Sequence, residues 1–384
     1  MPPLSLYIHF PWCIQKCPYC DFNSHAVKTG IPEMQYVAAL LADLRADLSL
    51  FDTPPSIHSI FMGGGTPSLF SPAALQQLLA GVKQLADLSS NCEITLEANP
   101  GTFESAKFQA FRDLGINRLS IGIQSFNDRH LKSLGRIHDA EQAVNAVNIA
   151  LRAGFDNLNL DLMFGLPAQT QAEALADINT AISLKPTHIS FYQLTLEPNT
   201  YFYKFPPKLP EDESIFALQK ACQRILARNG YRQYEISAYA KPGYQSRHNR
   251  NYWQFGDYLG IGAGAHGKIS RTLPRDIIRT AKPKSPEQYL KQDYPSTLFG
   301  ANSSSRETIS IEQLPLEFVM NHLRLKEGFN LDDYRALTGL APETLEPALT
   351  ECLNQGLLIK HQQQVFCSEQ GWDFLDEILE KFIP

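Results

Sequence analysis

Cys13-Ile14-Gln15-Lys16-Cys17-Pro18-Tyr19-Cys20 is the stretch from which the rest of the chain is read. Three cysteines fall within it, separated by three residues and then by two. The run Ser5-Leu6-Tyr7-Ile8-His9-Phe10 just ahead reads as a strand, so the thiols sit on the loop that leaves it. Sulfurs this close cannot serve distant partners separately, but they can aim at one centre. Thiolate is the soft ligand that suits iron–sulfur clusters and zinc. A 4Fe–4S cluster takes one ligand per iron, so three cysteines leave one iron open to an exchangeable group. The competing readings are a structural zinc site with His9 or His25 as fourth ligand, and three buried, unreactive thiols.

Length and composition bound the answer. A chain of 384 residues holds one large domain and a smaller one, or two domains. Hydrophobic content of 43% and charged content of 19% belong to an ordinary globular protein. The formal net charge of −6 argues against an electrostatic grip on nucleic acid. Beyond the triplet, Cys92, Cys222, Cys352 and Cys367 are scattered singly, which is no disulfide framework and fits a reducing compartment. No signal peptide and no bilayer-long apolar run is read, so the expectation is a cytoplasmic protein with at most peripheral membrane contact.

Short apolar runs alternate with helical patterns at the spacing of βα units. The strands are expected at Ser5–Phe10, Ile57–Met62, Glu93–Ala98, Arg118–Ile123, Asn157–Phe164 and His188–Leu196. The helices between them are expected at Met34–Phe51, from Ser71-Pro72 onward, at Phe103–Leu114, Asp139–Ala153 and Gln171–Leu184. This alternation implies an α/β fold with a parallel sheet: a partial (β/α)6 barrel, or else a doubly wound open sheet. Either places functional residues at the carboxyl ends of the strands. Beyond Leu196 come a helix at Glu213–Arg228 and a strand at Tyr231–Tyr239. An irregular stretch, Lys241–Gly267, follows. The domain reading is 1–270 for the barrel with its extension, 271–313 for a linker, and 314–384 for a mainly helical, winged-helix-like domain. From Leu314 to Pro384 there are five Lys and Arg against twelve Asp and Glu, a balance of −7, so that domain is read as a lid or interaction module.

Gly63-Gly64-Gly65-Thr66-Pro67 closes the second expected strand, where glycines allow a tight turn and close approach to a ligand. Glu97, Gln124 and Asp161 sit in or at the ends of later strands, and Arg136 follows in Leu134-Gly135-Arg136-Ile137-His138. A carboxylate in an otherwise apolar strand needs a partner or a ligand, and several at one barrel mouth favour a ligand site. Arg136 offers a positive charge for a carboxylate.

The C-x3-C-x2-C spacing together with the glycine turn resembles the radical S-adenosylmethionine (SAM) superfamily. That resemblance implies a (β/α)6 barrel and a 4Fe–4S cluster held by Cys13, Cys17 and Cys20. It also implies SAM on the open iron, cleaved by one electron to a 5′-deoxyadenosyl radical. Tyr7, the triplet, the glycine turn, Glu97, Gln124, Arg136 and Asp161 together resemble the oxygen-independent coproporphyrinogen III oxidase family, over about residues 4–270. Carried over by motif, Tyr7, Gly64, Gly65, Thr66, Glu97, Gln124, Arg136 and Asp161 would line the SAM pocket, with Tyr19 beside the cluster and Thr195 near the sixth strand end.

Two departures matter. Cys20 is followed by Asp21-Phe22-Asn23-Ser24, without the oxidases' fourth cysteine, and the chain lacks their N-terminal extension. Both are similar to the haem-chaperone branch of that family. So is His248-Asn249-Arg250-Asn251-Tyr252-Trp253, which resembles its haem-binding motif. Imidazole is a good axial ligand for haem iron, and the aromatic pair offers flat apolar faces. His266 is a second candidate. The expectation is a haem chaperone that binds haem through His248, a 4Fe–4S cluster and SAM. Its partners would be an electron donor and a haem-acceptor protein, membrane-associated or haem-storing, with a cluster-dependent dimer. The alternative is an enzyme that decarboxylates coproporphyrinogen III to protoporphyrinogen IX.

Overall fold

Six strands follow one another as the pattern requires: β1 (Leu4–Phe10), β2 (Ile57–Gly64), β3 (Leu88–Ala98), β4 (Arg118–Gln124), β5 (Leu158–Phe164) and β6 (His188–Gln193). The computed structural model describes residues 2–28, 30–101, 105–272, 275–292 and 305–384. The six strands pair in chain order, all in parallel. Their two faces differ. On β1, Leu4, Leu6, Ile8 and Phe10 are fully buried and join the main core with Val37, Leu40 and Leu44 of the Glu33–Leu48 helix. Ser5, Tyr7 and His9 take the opposite face, because successive side chains in a strand point opposite ways. Register puts Tyr7 beside Phe61, Glu97 beside Ser120 and Asp161 beside Ser190. The inner face of the partial barrel is therefore largely polar, and the outer face carries the apolar core.

Local chemistry sets the returning helices. Ser71 caps Pro72–Leu85 by accepting from the Ala74 N–H at 3.2 Å. Asp139 with Gln142, and Thr170 with Glu173, form capping boxes that open Ala140–Arg152 and Gln171–Ser183. The third return is the short helix Phe108–Asp113; Phe103, where its start was expected, lies outside the described residues.

The extension differs from the sequence reading. The expected strand at Tyr231–Tyr239 is a tight antiparallel pair, β7 (Arg232–Glu235) and β8 (Ala238–Ala240), and β8 also pairs with β6. The stretch Lys241–Gly267 is ordered: it holds the Arg247–Trp253 helix and β9 (Asp257–Ile261), which lies parallel beside β1. The expected linker is corrected too. β10 (His266–Thr272), β11 (Arg275–Ala281) and β12 (Ser305–Thr308) extend the same sheet antiparallel from β9. Their polar composition resembles a linker because these strands pair their charges with one another, as Arg271 on β10 does with Asp276 on β11. Glycine hid β9 as well: a Cβ at Gly260 would lie 1.8 Å from the His266 carbonyl oxygen, so the β9–β10 approach requires glycine there.

The end of the chain forms three helices, Leu314–His322, Leu331–Thr338 and Ala348–Asn354, and the hairpin Leu358–His361/Gln364–Cys367. Phe329–Asn330 adds a third strand to that hairpin. Two more helices, Glu369–Asp373 and Leu375–Glu380, follow, separated at Phe374. Phe255 and Ile277 of the extension join this domain's core with Phe318 and Tyr334.

Lys282, also within the expected linker, is buried against the Glu33–Leu48 helix. Its Nζ donates to Asp43 Oδ1 at 2.6 Å and to Asp47 Oδ1 at 2.8 Å. Burial holds the Asp43 carboxyl up at about 6 even with that cation beside it. Lys282→Met leaves two buried carboxyls without a cation and is expected to cost about 3–5 kcal/mol in urea unfolding. Adding Asp43→Asn and Asp47→Asn is expected to restore part of it. An unchanged midpoint for Lys282→Met would contradict this role.

Candidate functional site

The cysteine loop is closed at its base. Trp12–Cys13 and His25–Ala26 form a short parallel ladder, the His25 N–H donates to Pro11 O at 2.7 Å, and the Val27 N–H donates to Cys13 O at 2.9 Å. Asn23 pins the loop to the extension by donating to Ala263 O and Lys284 O at 2.8 and 2.9 Å. Cys13, Cys17 and Cys20 are free thiols, each half-buried.

The glycine turn docks on that base. The Gly65 N–H donates to Phe10 O at 2.6 Å and the Thr66 N–H to Trp12 O at 2.7 Å. A Cβ at Gly65 would stand 2.6 Å from both of those carbonyl oxygens. Gly64 has φ +105°, which favours glycine, and its N–H donates to Glu97 Oε2 at 3.1 Å. Three separate segments thereby face one cavity of about 360 Å³, within the usual size of small-molecule sites.

The three cysteines, Tyr19, Gly64, Gly65, Thr66, Glu97, Gln124, Arg136, Asp161 and Thr195 all line this cavity. Gln124 sits at φ +68°, a conformation rare outside glycine and frequent where function sustains strain. Asp161 accepts from Ser120 Oγ at 2.9 Å and from Asn159 Nδ2 at 2.8 Å. Arg136 is already engaged: its Nη2 donates to Asn99 Oδ1 at 2.7 Å and to Gly122 O at 2.8 Å, and its Nη1 lies 3.7 Å from Cys17 Sγ. It is thus fixed at the cavity wall beside the cysteine loop rather than free to swing.

Two expected residues lie elsewhere. Tyr7 is inside the barrel, its hydroxyl 2.9 Å from His9 Nδ1. His248 is 1% exposed, stacked on Phe61 at 5.1 Å, with Nδ1 3.2 Å from Ser59 Oγ and Nε2 3.3 Å from Tyr252 Oη. Burial pushes its imidazole down to about 3, so it is neutral. His266 is exposed on β10. His9 spends its second nitrogen on Asn23 O at 2.8 Å, which leaves neither ring nitrogen free for zinc.

The sequence reading missed Asn99, which bonds both Thr66 and Arg136, and Tyr192, at the mouth end of β6. Period-2 counting from Gln124 would have found Ser120, and from His188 Tyr192. Arg118 carried no such signal: it opens β4, is 2% exposed, and its Nε has no hydrogen-bond partner among the described residues.

The donor set fits the expected groups. Burial raises the Cys13 and Cys20 thiols above their ordinary range, so they stay protonated at neutral pH until a metal charge displaces the proton. Among the described residues no three His, Cys, Asp or Glu side chains are drawn together around a single metal ion. A cubane accepts sulfurs spaced along its corners. In the same cavity, the Glu97 and Asp161 carboxyls suit a ligand that carries a cationic group.

Burial, then the Asp161 charge, pushes the Glu97 carboxyl up to about 8 from an ordinary 4.5. The native state therefore holds a proton that the unfolded chain releases. Stability from this group is full below about pH 4.5 and is lost as pH rises through 8. Glu97→Gln is expected to melt above the wild type at pH 8.5, with the gap closing at pH 5. A gap equal at both pH values would contradict the assignment.

The radical SAM superfamily profile matches residues 7–181, and the HemN C-terminal domain profile matches residues 309–374. The haem chaperone HemW of Haemophilus influenzae is 49% identical over 100% of this chain and 98% of its own length. HemW of Escherichia coli is 46% identical over 100% and 99%. Among solved structures, the coproporphyrinogen III oxidase HemN of Escherichia coli superposes with a TM-score of 0.83 at 22% identity, covering 99% of this chain and 90% of that one, which shows a common fold. With full-length identity at this level and the barrel in place, the chain belongs to the HemW haem-chaperone family of the radical SAM superfamily.

Proposed function

We propose that this protein captures haem and passes it to an acceptor protein. The observation that carries this reading is the full-length likeness, at 49% and 46% identity, to proteins named as haem chaperones. In this reading Cys13, Cys17 and Cys20 hold a 4Fe–4S cluster, and SAM occupies the cavity beside it. When bound and reduced, the cluster supplies one electron to the SAM sulfonium.

The chain's own residues do the rest. The Glu97 carboxylate and its neighbour Asp161 receive the cationic groups of SAM, and Glu97 gives up its proton as they arrive. Gly64 and Gly65 keep side chains out of the approach, and Gln124 and Thr66 offer polar groups that orient the ligand. Arg136 places positive charge beside Cys17, where a cluster ligand's negative charge needs offsetting. Tyr19 closes the cavity against Phe202, with ring centroids 6.4 Å apart. Tyr7 acts from beneath, through His9. An electron donor must reach the cysteine loop, and a cluster-dependent dimer is part of the proposal. Among the described residues no helix is long and apolar enough to cross a membrane.

His248 holds the haem iron in the tightly bound state. With the Arg247–Trp253 helix seated, both its nitrogens are engaged, so this ligation requires the helix to leave the barrel floor. Glu93 is the latch, as its Oε1 accepts the Arg247 and His248 N–H groups at 3.0 and 3.2 Å.

His248→Ala is expected to lower the haem retained through gel filtration by about tenfold, with iron and sulfide content unchanged. Equal retention would remove this ligand assignment. Anaerobic incubation with coproporphyrinogen III, SAM and a reductant is expected to give no protoporphyrinogen IX. Formation of that product would favour the decarboxylase instead.

A further inference from the structure

A second cavity, of about 730 Å³, opens between the barrel floor and the C-terminal domain. Asn251 and Gln254, from the end of the haem-motif helix, line one side of it, and His322, Phe329 and Phe366 line the other. His322 is 5% exposed, at the end of the Leu314–His322 helix. Its Nδ1 lies 3.3 Å from Phe318 O. A carbonyl only accepts, so the Nδ1 position carries the proton and the Nε2 lone pair is free. No hydrogen bond to Nε2 is formed among the described residues. The ring is fixed in place, stacked on Phe318 with centroids 3.9 Å apart and planes at 23°.

We propose that this groove is the entry site for haem, and that His322 Nε2 is the first axial ligand of its iron while the haem-motif helix is still seated. This rests on the haem-chaperone reading and adds where haem first lands. A neutral imidazole that donates Nδ1–H to a backbone carbonyl and presents Nε2 is the arrangement iron ligation calls for. Burial supports it by pushing His322 down to about 4, so no proton competes at neutral pH.

The occupant follows from the walls. Phe366 and Leu337 give part-exposed apolar faces for a flat macrocycle, with Phe329 packed in the core behind them, and the volume falls in the range of small-molecule sites. Lys326, whose Nζ lies 3.8 Å from the Trp372 ring centroid, supplies a cation for a propionate. Two carboxylates also border the groove. Glu327 is paired with Arg250 at 2.6 Å, and Asp333 stands exposed at the rim, so the propionates face the Lys326 side. Arg250 belongs to the haem-motif helix, so haem in the groove touches the element that must move for His248 to take the iron.

Rapid mixing of hemin with the full-length, cluster-loaded protein tests this. Two phases are expected: fast capture in the groove, then slow transfer as the helix leaves. His322→Ala is expected to cut the fast-phase affinity by at least about tenfold, and added imidazole to restore the low-spin Soret band. His248→Ala is expected to keep the fast phase and lose the slow one. Gln254→Trp, on an exposed rim position, is expected to block the fast phase without touching either histidine, which keeps the test open if His322→Ala does not fold. A fast phase unchanged in folded His322→Ala, or in Gln254→Trp, overturns the groove. No hemin binding by the wild type at all overturns the haem-chaperone reading itself.

Discussion

The backbone of Gly65 lies so near the carbonyls of Phe10 and Trp12 that no side chain fits between them, and its N–H bonds to Phe10 as it passes. Everything at the mouth of the barrel depends on that contact. It fixes the glycine turn against the base of the cysteine loop. Two motifs more than forty residues apart thus become one rigid rim. The loop's thiols then face the turn's amides and the Glu97 carboxyl across a single cavity. Neither motif alone would define a site: a short thiol loop would fray, and a glycine turn would have nothing to approach.

Beneath the rim, the barrel interior is polar by strand alternation, and this has a cost. Glu97 and Asp161 are carboxyls in a space that disfavours charge, which is why both are pushed upward. Such a site is destabilising when empty and relaxes when a cation arrives. The interior also joins the two ends of the barrel. His248 on the floor stacks on Phe61, Phe61 lies beside Tyr7, Tyr7 bonds His9, and His9 bonds the Asn23 carbonyl in the cysteine loop. The haem-motif helix and the cysteine loop therefore share one wall of packed side chains.

Much of this was legible in the sequence. Cys13, Cys17 and Cys20, the glycine turn, Glu97 and Asp161 could be placed because period 2 and strand-end position are local signals, and the six strands came from the same pattern. What could not be read depended on distant partners. Lys282 looks like a linker lysine until Asp43 and Asp47 are brought to it from far along the chain. β9 was masked by glycines that exist to admit β10, and the seven-residue haem-motif helix is too short to show a period. His248 stands out in the sequence by its motif, but its burial does not, since nothing local tells a buried imidazole from an exposed one. His322 ends a helix with no motif around it, so nothing local marks it.

The account rests on the three thiols of the loop holding a cluster with one iron left open. Electron paramagnetic resonance of the anaerobically reconstituted, dithionite-reduced protein, with and without SAM, tests this most directly. A 4Fe–4S signal that shifts when SAM is added, and that is lost in Cys17→Ser, is the predicted result. A signal indifferent to SAM, or bound zinc in place of iron and sulfide, would contradict it.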